Sequence, residues 1–263
     1  MLVVVDIGNT NITMGLFKGD NIIGNYRLTT KLQRTSDEYG FMILSFLEAY
    51  NVEVKEIENV IISSVVPKIM YSFTNSIRKY FHKEPIVVGP GIKTGISIKT
   101  DNPKSLGADR LVDAAGAYYL NKCACLVVDF GTATTFDVIS SKGEFLGGAI
   151  APGIQISVEV LSSHAAKLPE IEIKKPENII GKNTVDSMQS GVVYGYIGLT
   201  EKIINEIKKH YHEPLKVVAT GGLGRMIYHE TDLIDSYDPD LTFKGLKMIY
   251  DIQKKLNKHK RST

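Results

Sequence analysis

The sequence predicts an α/β protein made of two similar halves with a cleft between them. An apolar segment that ends in Asp-x-Gly opens the chain at Asp6 and returns at Asp129, 123 positions later, and Gly24 and Gly147 keep the same offset. Segments with helical periodicity then alternate with short apolar segments in both halves. Duplication is favoured over a chance match because the register is sustained beyond the first motif.

Each copy begins with the pattern strand, polar turn, strand, polar turn, strand. The turns of the first copy are at Gly8–Asn11 and Lys18–Asn21, and those of the second are at Gly131–Thr134 and Ser140–Gly143. Small and polar residues between alternating apolar segments are typical of hairpins. We therefore predict a three-stranded hairpin unit at the start of each half.

Helices and further strands follow each hairpin unit. A helix is predicted where apolar residues recur at helical spacing, and a strand where a short apolar run stands alone. The predicted helices are Ser36–Tyr50, Ile69–Phe81, one from Asn102-Pro103 to about Leu120, Val192–Lys209 and Phe243–Leu256, and the predicted strands are Val60–Ile62, Ile86–Val88 and Leu215–Ala219. The repeat predicts two domains, 1–117 and 118–263.

Composition and charge exclude several classes of protein. Lys and Arg total 31 against 29 Asp and Glu, so the net charge is only +2 and exerts no general attraction on nucleic acid or an anionic membrane. No apolar stretch approaches the roughly 20 residues of a membrane span. The two cysteines, Cys123 and Cys125, are too few for a disulfide scaffold or a zinc site. We expect a cytoplasmic protein with no nucleic acid or membrane partner.

The turn after Asp6 has the residues of a phosphate site. Gly8 allows a positive φ and close backbone approach, and the side chains of Asn9, Thr10 and Asn11 can donate hydrogen bonds to phosphate oxygens. An aspartate beside phosphates requires a cation, so Asp6 indicates Mg²⁺. Taken alone, an ordinary hairpin with an Asx turn explains these residues equally well.

The second copy repeats this design after Asp129 with hydroxyl groups at Thr132, Thr134 and Thr135. Two such turns could hold a polyphosphate from both sides, and the Thr220–Gly224 segment leaves open space for a flat adenine or ribose. No G-x-x-x-x-G-K-[ST] motif occurs, and the later glycines do not form G-x-G-x-x-G. P-loop kinases and dinucleotide-binding dehydrogenases are therefore disfavoured.

A small-residue cluster, Gly107–Arg110, lies at or near a predicted helix start. Asp109 could accept the proton of a substrate hydroxyl as it attacks phosphorus, and Arg110 could hold an anionic group. The alternative is a surface ion pair at the beginning of a helix. Gly107 and Ala108 argue against it, since they are poor choices for a surface helix and leave space beside the carboxyl group.

Taken together, the motifs resemble the type III pantothenate kinase family of the actin-like, acetate and sugar kinase superfamily. The resemblance covers nearly the whole chain. It rests on ordered blocks at Asp6–Asn11, Ile92–Gly95, Asp101–Pro103, Gly107–Arg110, Asp129–Thr134, Gly147–Gly153 and Thr220–Gly222. It implies two ribonuclease-H-like halves, a homodimer, and ATP-dependent phosphorylation of pantothenate to 4′-phosphopantothenate, the first step of coenzyme A synthesis.

The resemblance also implies roles for individual residues. Asp109 matches the catalytic base, and Asp129 matches the ligand of an activating monovalent cation, K⁺ or NH₄⁺. Thr184 matches a threonine that reaches pantothenate from the partner subunit. The implied pantothenate contacts are Thr100, Gly107, Ala108, Asp109, Arg110 and Thr184, and the implied ATP contacts are Asp6, Ile7, Gly8, Asn9, Thr10, Asn11, Ile12, Thr13 and Thr132, with Asp6 also toward Mg²⁺.

One departure keeps alternatives open. The family often has tyrosine before the Asp-Asn-Pro block, where this chain has Thr100. Another actin-like small-molecule kinase therefore remains an alternative, as does an accessory transcriptional regulator on the same scaffold. The small net charge and the lack of a strongly basic helix argue against the regulator binding DNA directly.

Overall fold

The computed structural model describes the backbone of residues 1–261 and the side chains of residues 1–257. It has eleven strands and seven α-helices within those residues. The strands are β1 Leu2–Ile7, β2 Asn11–Lys18, β3 Asn21–Thr29, β4 Asn59–Ser64, β5 Ile86–Val87, β6 Ser97–Ile98, β7 Cys125–Phe130, β8 Ala133–Ile139, β9 Glu144–Pro152, β10 Lys216–Thr220 and β11 Ser236–Tyr237. The helices are α1 Ser36–Ala49, α2 Pro67–Phe81, α3 Ala108–Asn121, α4 Ile154–His164, α5 Thr184–His210, α6 Gly224–Tyr228 and α7 Leu241–Arg261.

The chain forms two compact units. Unit 1 contains Met1–Ser97, Asp101–Tyr119 and the chain from Asp240 onward, and unit 2 contains Ile98–Thr100 and Leu120–Pro239. The predicted boundary at 117/118 lies close to the change of unit within α3. Helix α7, however, belongs to unit 1 although the prediction placed it in the second domain.

The sheet of unit 1 is covered by helices on both faces. Its strand order is β3-β2-β1-β4-β5, with β1 to β3 antiparallel and β4 and β5 parallel to β1. Val3 and Val5 face α1 and α2, while Leu2 and Val4 join a second cluster with α3 and α7. Successive side chains of a strand point to opposite faces, which explains the uninterrupted apolar run of β1.

Helix α7 completes the second core of unit 1. Its apolar residues Phe243, Leu246 and Ile249 are buried in the same cluster as Val4 and Val112. Close packing between α7 and α3 depends on glycine, because a Cβ on Gly116 would lie 2.9 Å from the Leu241 carbonyl oxygen. The apolar face of this helix therefore fits the sheet of unit 1.

The sheet of unit 2 repeats the order of unit 1 and adds a strand at one edge. Its strand order is β11-β10-β7-β8-β9-β6. Leu126, Val128 and Phe130 form its core with residues of α5 that include Val193 and Ile204. The antiparallel hairpins and the parallel β7–β10 pair correspond to those around β1.

The sequence repeat is confirmed at the first and third strands of each hairpin unit. β1 and β7, and likewise β3 and β9, have bounds that differ by the same 123 positions, and β1 and β7 share one burial pattern. Both copies have a register shift between the second and third strands, at Leu16/Phe17 and at Val138/Ile139. The two hairpin units therefore share an irregularity as well as their strands.

Two of the helices begin five or more residues away from their predicted starts. Pro103–Ser105 forms only a short 3₁₀ turn, and α3 starts at Ala108 because Leu106 is extended, with φ −67° and ψ 126°. Helix α5 starts at Thr184, eight residues before the predicted start, after an Asn183 cap whose side chain accepts a hydrogen bond from the Asp186 N–H. Among the described residues, every helix is too short or too polar to cross a bilayer.

Candidate active site

Asp6 lies one residue before the end of β1, beside the parallel strand β4. In the pairing of these strands the partner of Asp6 is Ser63, which is fully buried at the carboxyl end of β4. The Asp6 residue is half-buried, but its Oδ1 atom is sealed from solvent and has no hydrogen-bond partner, and the Ser63 Oγ atom is in the same condition. Two buried oxygens without hydrogen-bond partners, near the carboxyl ends of neighbouring strands, need an explanation, since most buried polar groups in proteins are hydrogen-bonded.

Burial raises the pKa of Asp6 to about 7 from its ordinary value of 3.8. That value already includes a smaller raising effect of the negative charge of Asp109 on this pKa and a lowering effect of the nearby Ser63 hydroxyl, although this hydroxyl makes no hydrogen bond of normal geometry. A carboxyl group in these surroundings gains from a bound cation, which would compensate its charge and satisfy the sealed oxygen.

The turn after Asp6 is held by the end of the next hairpin. The Gly8 N–H donates to the Asn11 carbonyl at 2.9 Å, and the Thr30 hydroxyl donates to the Gly8 carbonyl at 2.7 Å. The Thr30 N–H also donates to the Thr10 carbonyl at 2.9 Å, while the side chains of Asn9 and Thr10 are exposed. These bonds fix the backbone of the turn and leave its polar tip open to a ligand.

Gly8 does not adopt the positive φ that glycine allows. Its φ lies outside the left-handed region, and a Cβ at this position would instead sit 3.2 Å from the Asn11 carbonyl oxygen. Glycine is needed here because the turn is narrow. The narrowing comes from the hydrogen bond between the Gly8 N–H and the Asn11 carbonyl.

The carboxyl group of Asp109 is oriented by its own helix terminus. Asp109 lies in the first turn of α3, half-buried, and its Oδ1 accepts a hydrogen bond from the Arg110 N–H at 2.8 Å. A Cβ on Gly107 would collide with the same oxygen, so glycine makes room for this arrangement. A negative side chain in the first turn is also favoured by the helix dipole.

Unit 1 therefore brings together two of the predicted groups. Asp6 and Asp109 are close enough for the charge of one to act on the other, and the Val65 N–H, just after β4, donates to the Ile7 carbonyl at 3.1 Å. Within the described residues no group of three His, Cys, Asp or Glu side chains could hold a metal by itself. A cation at Asp6 would need further ligands, such as nucleotide phosphates and water.

In unit 2, Asp129 occupies the place that Asp6 has in unit 1. Its strand partner on β10 is Thr220, which is buried, and β10 is followed by Gly221 with φ +89°. A Cβ on Gly221 would lie 2.6 Å from Asp129 Oδ1, and the Tyr237 hydroxyl donates to the Gly221 carbonyl at 3.0 Å. Gly222 has open space around it, as expected for a segment that leaves room for a ligand.

The threonines of the second turn have different surroundings. Thr132 is exposed at the tip, and its carbonyl accepts a hydrogen bond from the Gly153 N–H at 3.1 Å. Thr134 is buried and shares a 3.1 Å hydrogen bond with the Tyr196 hydroxyl, and the Thr135 hydroxyl donates to Asp137 at 3.2 Å. Thr132 is the threonine of this turn whose side chain is presented to solvent.

The other predicted pantothenate contacts lie in different parts of the chain. Gly107 to Arg110 belong to unit 1, whereas Thr100 and Thr184 belong to unit 2. Thr100 follows β6 and has a buried hydroxyl without a hydrogen-bond partner. Thr184 is exposed in the first turn of α5. A joint role for these residues therefore remains a prediction.

Similarity to known proteins identifies the family. The model of the type III pantothenate kinase family matches residues 2–206. The chain belongs to the type III pantothenate kinase family. It is 55% identical over 251 residues to the type III pantothenate kinase of Agathobacter rectalis, covering 95% of this chain and 96% of that one. It is 49% identical over 251 residues to that of Geobacillus kaustophilus, covering 95% of this chain and 97% of that one. The chain is therefore a kinase, an enzyme class that uses ATP and Mg²⁺ on a small-molecule substrate.

Solved structures define the fold. A Campylobacter jejuni protein assigned to the Baf family of transcriptional activators aligns with a TM-score of 0.60 at 22% identity, covering 96% of this chain and 99% of that one. A Porphyromonas gingivalis protein assigned as an N-acetylglucosamine kinase aligns with a TM-score of 0.51 at 12% identity, covering 95% and 98%. These likenesses show the actin-like, sugar-kinase fold alone.

Two residues of this site were not predicted from the sequence. Ser63 and Thr30 contain ordinary hydroxyl groups at the ends of strands, and neither belongs to a motif. A signal for Ser63 was available, because Val60–Ser63 and Val217–Thr220 both read as apolar strands that end in a hydroxyl residue. No comparable signal marks Thr30, whose contact with Gly8 spans 22 positions.

Proposed function

We propose that this kinase phosphorylates pantothenate at its 4′-hydroxyl group with ATP, and that Asp109 is the general base. The observation that carries the proposal is the pair of carboxyl groups of Asp6 and Asp109, which interact electrostatically near the carboxyl end of β1. The buried Asp6 oxygen without a hydrogen-bond partner indicates a cation site. The 49–55% identity to type III pantothenate kinases supports the choice of substrate.

The reaction assigns different tasks to the two carboxyl groups. The hydroxyl oxygen of pantothenate forms a bond to the γ-phosphorus, the bond from that phosphorus to the leaving oxygen of ADP breaks, and Asp109 accepts the hydroxyl proton. Asp6 would hold Mg²⁺ together with the phosphates, and the bound Mg²⁺ would neutralise negative charge on the phosphoryl group that is transferred. Arg110 would hold the carboxylate of pantothenate.

The polar turns would bind the nucleotide. The exposed tip at Asn9 and Thr10 and the backbone N–H groups of the first turn suit phosphate oxygens, and Thr132 offers a hydroxyl group from the second turn. Asp129 would hold the monovalent cation, K⁺ or NH₄⁺. Replacing K⁺ by choline is then expected to lower turnover and to leave the folded state unchanged.

Thr184 and Thr100 would complete the pantothenate site, Thr184 from the second subunit of a homodimer. Exposure of Thr184 at a helix start is compatible with reaching a neighbouring subunit. A molecular mass of one chain in solution at micromolar concentration, together with full activity, would contradict a shared site. ATP and Mg²⁺ are abundant in the cytoplasm, where we place the enzyme.

The direct test is a coupled assay of ADP formation with ATP, Mg²⁺, K⁺ and pantothenate. We expect turnover that depends on pantothenate, with other hydroxy acids and sugars as controls for a different actin-like kinase. Absence of pantothenate-dependent turnover, from protein that still binds a non-hydrolysable ATP analogue, would reject the proposed substrate.

A further inference from the structure

Ser63 is a buried polar residue that the proposed chemistry has not used. Its side chain is 0% exposed, and its hydroxyl oxygen has no hydrogen-bond partner. It stands opposite Asp6 in the pairing of β1 with β4, and the Asp6 Oδ1 atom is equally sealed and unpartnered. Burying a hydroxyl without a partner is unfavourable, so an alanine would be the better residue if Ser63 served only to fill space.

The other half of the molecule has the same arrangement. Asp129 pairs with Thr220 on β10 as Asp6 pairs with Ser63 on β4, and Thr220 is 2% exposed. The two halves thus place a buried hydroxyl residue opposite the aspartate that lies one residue before the end of the first strand. A position that accepts serine in one copy and threonine in the other, but no apolar residue in either, indicates a requirement for the hydroxyl group.

We propose that Ser63 is a positioning residue for Asp6, whose hydroxyl group donates a hydrogen bond to the Asp6 carboxylate when a divalent cation is bound there with the nucleotide. The proposal rests on the Mg²⁺ role given to Asp6 above. Groups that hydrogen-bond to a ligating carboxylate fix its orientation and strengthen metal binding. A cation on the Asp6 carboxylate and the hydrogen bond from Ser63 would together satisfy both oxygens.

This role predicts opposite effects on stability and on binding. In Ser63→Ala, the Tm of the ligand-free protein is expected to equal or exceed that of the parent, because the change removes a buried hydroxyl that has no partner. The affinity for a non-hydrolysable ATP analogue in the presence of Mg²⁺ is expected to fall about tenfold, the lower end for loss of such a supporting group. The affinity measured in EDTA is expected to stay unchanged.

Two further variants separate positioning from structure. Ser63→Thr keeps the hydroxyl group, and the equivalent Thr220 shows that the sheet position accommodates threonine, so Mg²⁺-dependent binding is expected to be retained. Ser76→Ala is the matched control, because Ser76 is also 0% exposed but donates to the Phe73 carbonyl at 2.7 Å. It is expected to lower Tm and to leave binding unchanged.

The experiment is calorimetric titration of the full chain with the analogue, with Mg²⁺ and with EDTA, alongside thermal unfolding. Asp6→Asn is titrated in parallel: if it keeps full Mg²⁺-dependent affinity, the proposed role of Asp6 fails. If Asp6→Asn loses that affinity while Ser63→Ala retains it, or if Ser63→Ala lowers both affinities equally, the role of Ser63 alone is overturned. A lower Tm in Ser63→Ala would also contradict it, because it would show a native partner for the hydroxyl group.

Discussion

The turns that follow Asp6 and Asp129 have the same framework but different detail. Each joins two antiparallel strands, and each aspartate is paired with a buried hydroxyl residue at or next to the end of a parallel strand. The first turn has three residues between its strands and the second has two, Gly131 and Thr132. Beyond the turns, Asp6 interacts with Asp109, whereas Asp129 is packed against the backbone bend at Gly221.

The difference shows how a duplicated framework acquires two chemistries. In unit 1 the start of α3 places a second carboxyl group, that of Asp109, near Asp6. Two carboxyl groups together suit a site with one cation ligand and one proton acceptor. In unit 2 the bend at Gly221 lies beside the aspartate, and further on Gly222 leaves an open surface. The strands provide equivalent positions, and the segments that follow them decide what each position can do.

The largest expected effect is at the site that only unit 1 possesses. Asp109→Asn should lower kcat by about 10²–10⁴-fold, the usual contribution of a general base, with little change in fold. Steady-state kinetics in the coupled assay and circular dichroism measure this. Asp20→Asn is the control, because the Asp20 side chain is 96% exposed and its contact with Lys247 is a surface ion pair of little energetic value. Near-normal kcat in Asp109→Asn would remove that residue from the role of base.

The next largest effect is expected on the free energy of unfolding when the Gly221 bend of unit 2 is changed. Gly221→Ala should lower the free energy of unfolding by about 3 kcal/mol, because φ is +89° and the new Cβ would meet Asp129 Oδ1 at 2.6 Å. Gly222→Ala, the neighbouring control, has nothing within 4 Å and should change stability little. Denaturant unfolding measures the free energy of unfolding of both variants. Equal values would show that the bend at Gly221 tolerates a side chain. Weaker ATP binding in Gly222→Ala would support a nucleotide surface there.

A smaller effect is the dependence of stability on pH at Asp6. The raised pKa, about 7 against an ordinary 3.8, means that the folded protein holds a proton which the unfolded chain has released. This contribution is complete below about pH 3.8 and is lost as the pH rises through about 7. Thermal unfolding in EDTA should therefore give a Tm a few degrees lower at about pH 8 than at about pH 6. Asp6→Asn should flatten this difference, and an unchanged pH profile in that variant would contradict the assignment.

The smallest expected effect concerns a polar contact that unit 2 has and unit 1 lacks. Thr134 occupies the place that the apolar Ile12 has in unit 1, and its hydroxyl bonds to Tyr196 at 3.1 Å. Tyr196→Phe should cost about 1 kcal/mol in unfolding free energy, since it leaves a buried hydroxyl without its partner. Adding Thr134→Val should recover part of that loss. Strictly additive losses in a double-mutant cycle would show that the two hydroxyl groups do not interact.

Much of this architecture was open to prediction from sequence, because local pattern determines it. The strands of both hairpin units, the turns between them and the helix bounds of α1 and α2 follow from alternation and periodicity. The break before α3 and the early start of α5 were missed because both depend on caps and on one extended residue, Leu106. The family motifs identified Asp6, Asp109 and Asp129 as residues of interest, but they gave no surroundings for any of them.

The sequence by itself determined the duplication, the two aspartates near the ends of equivalent strands, and the family to which the chain belongs, because these are recorded in spacing and residue type. Only the tertiary structure decided that α7 covers the sheet of unit 1, that Asp109 acts on the charge of Asp6, and that Ser63 faces that carboxyl group. The physical reason is that burial, charge interaction and missing hydrogen bonds arise between residues distant in sequence. Asp6 and Asp109 are separated by about a hundred positions, and their electrostatic coupling exists only once the chain is folded.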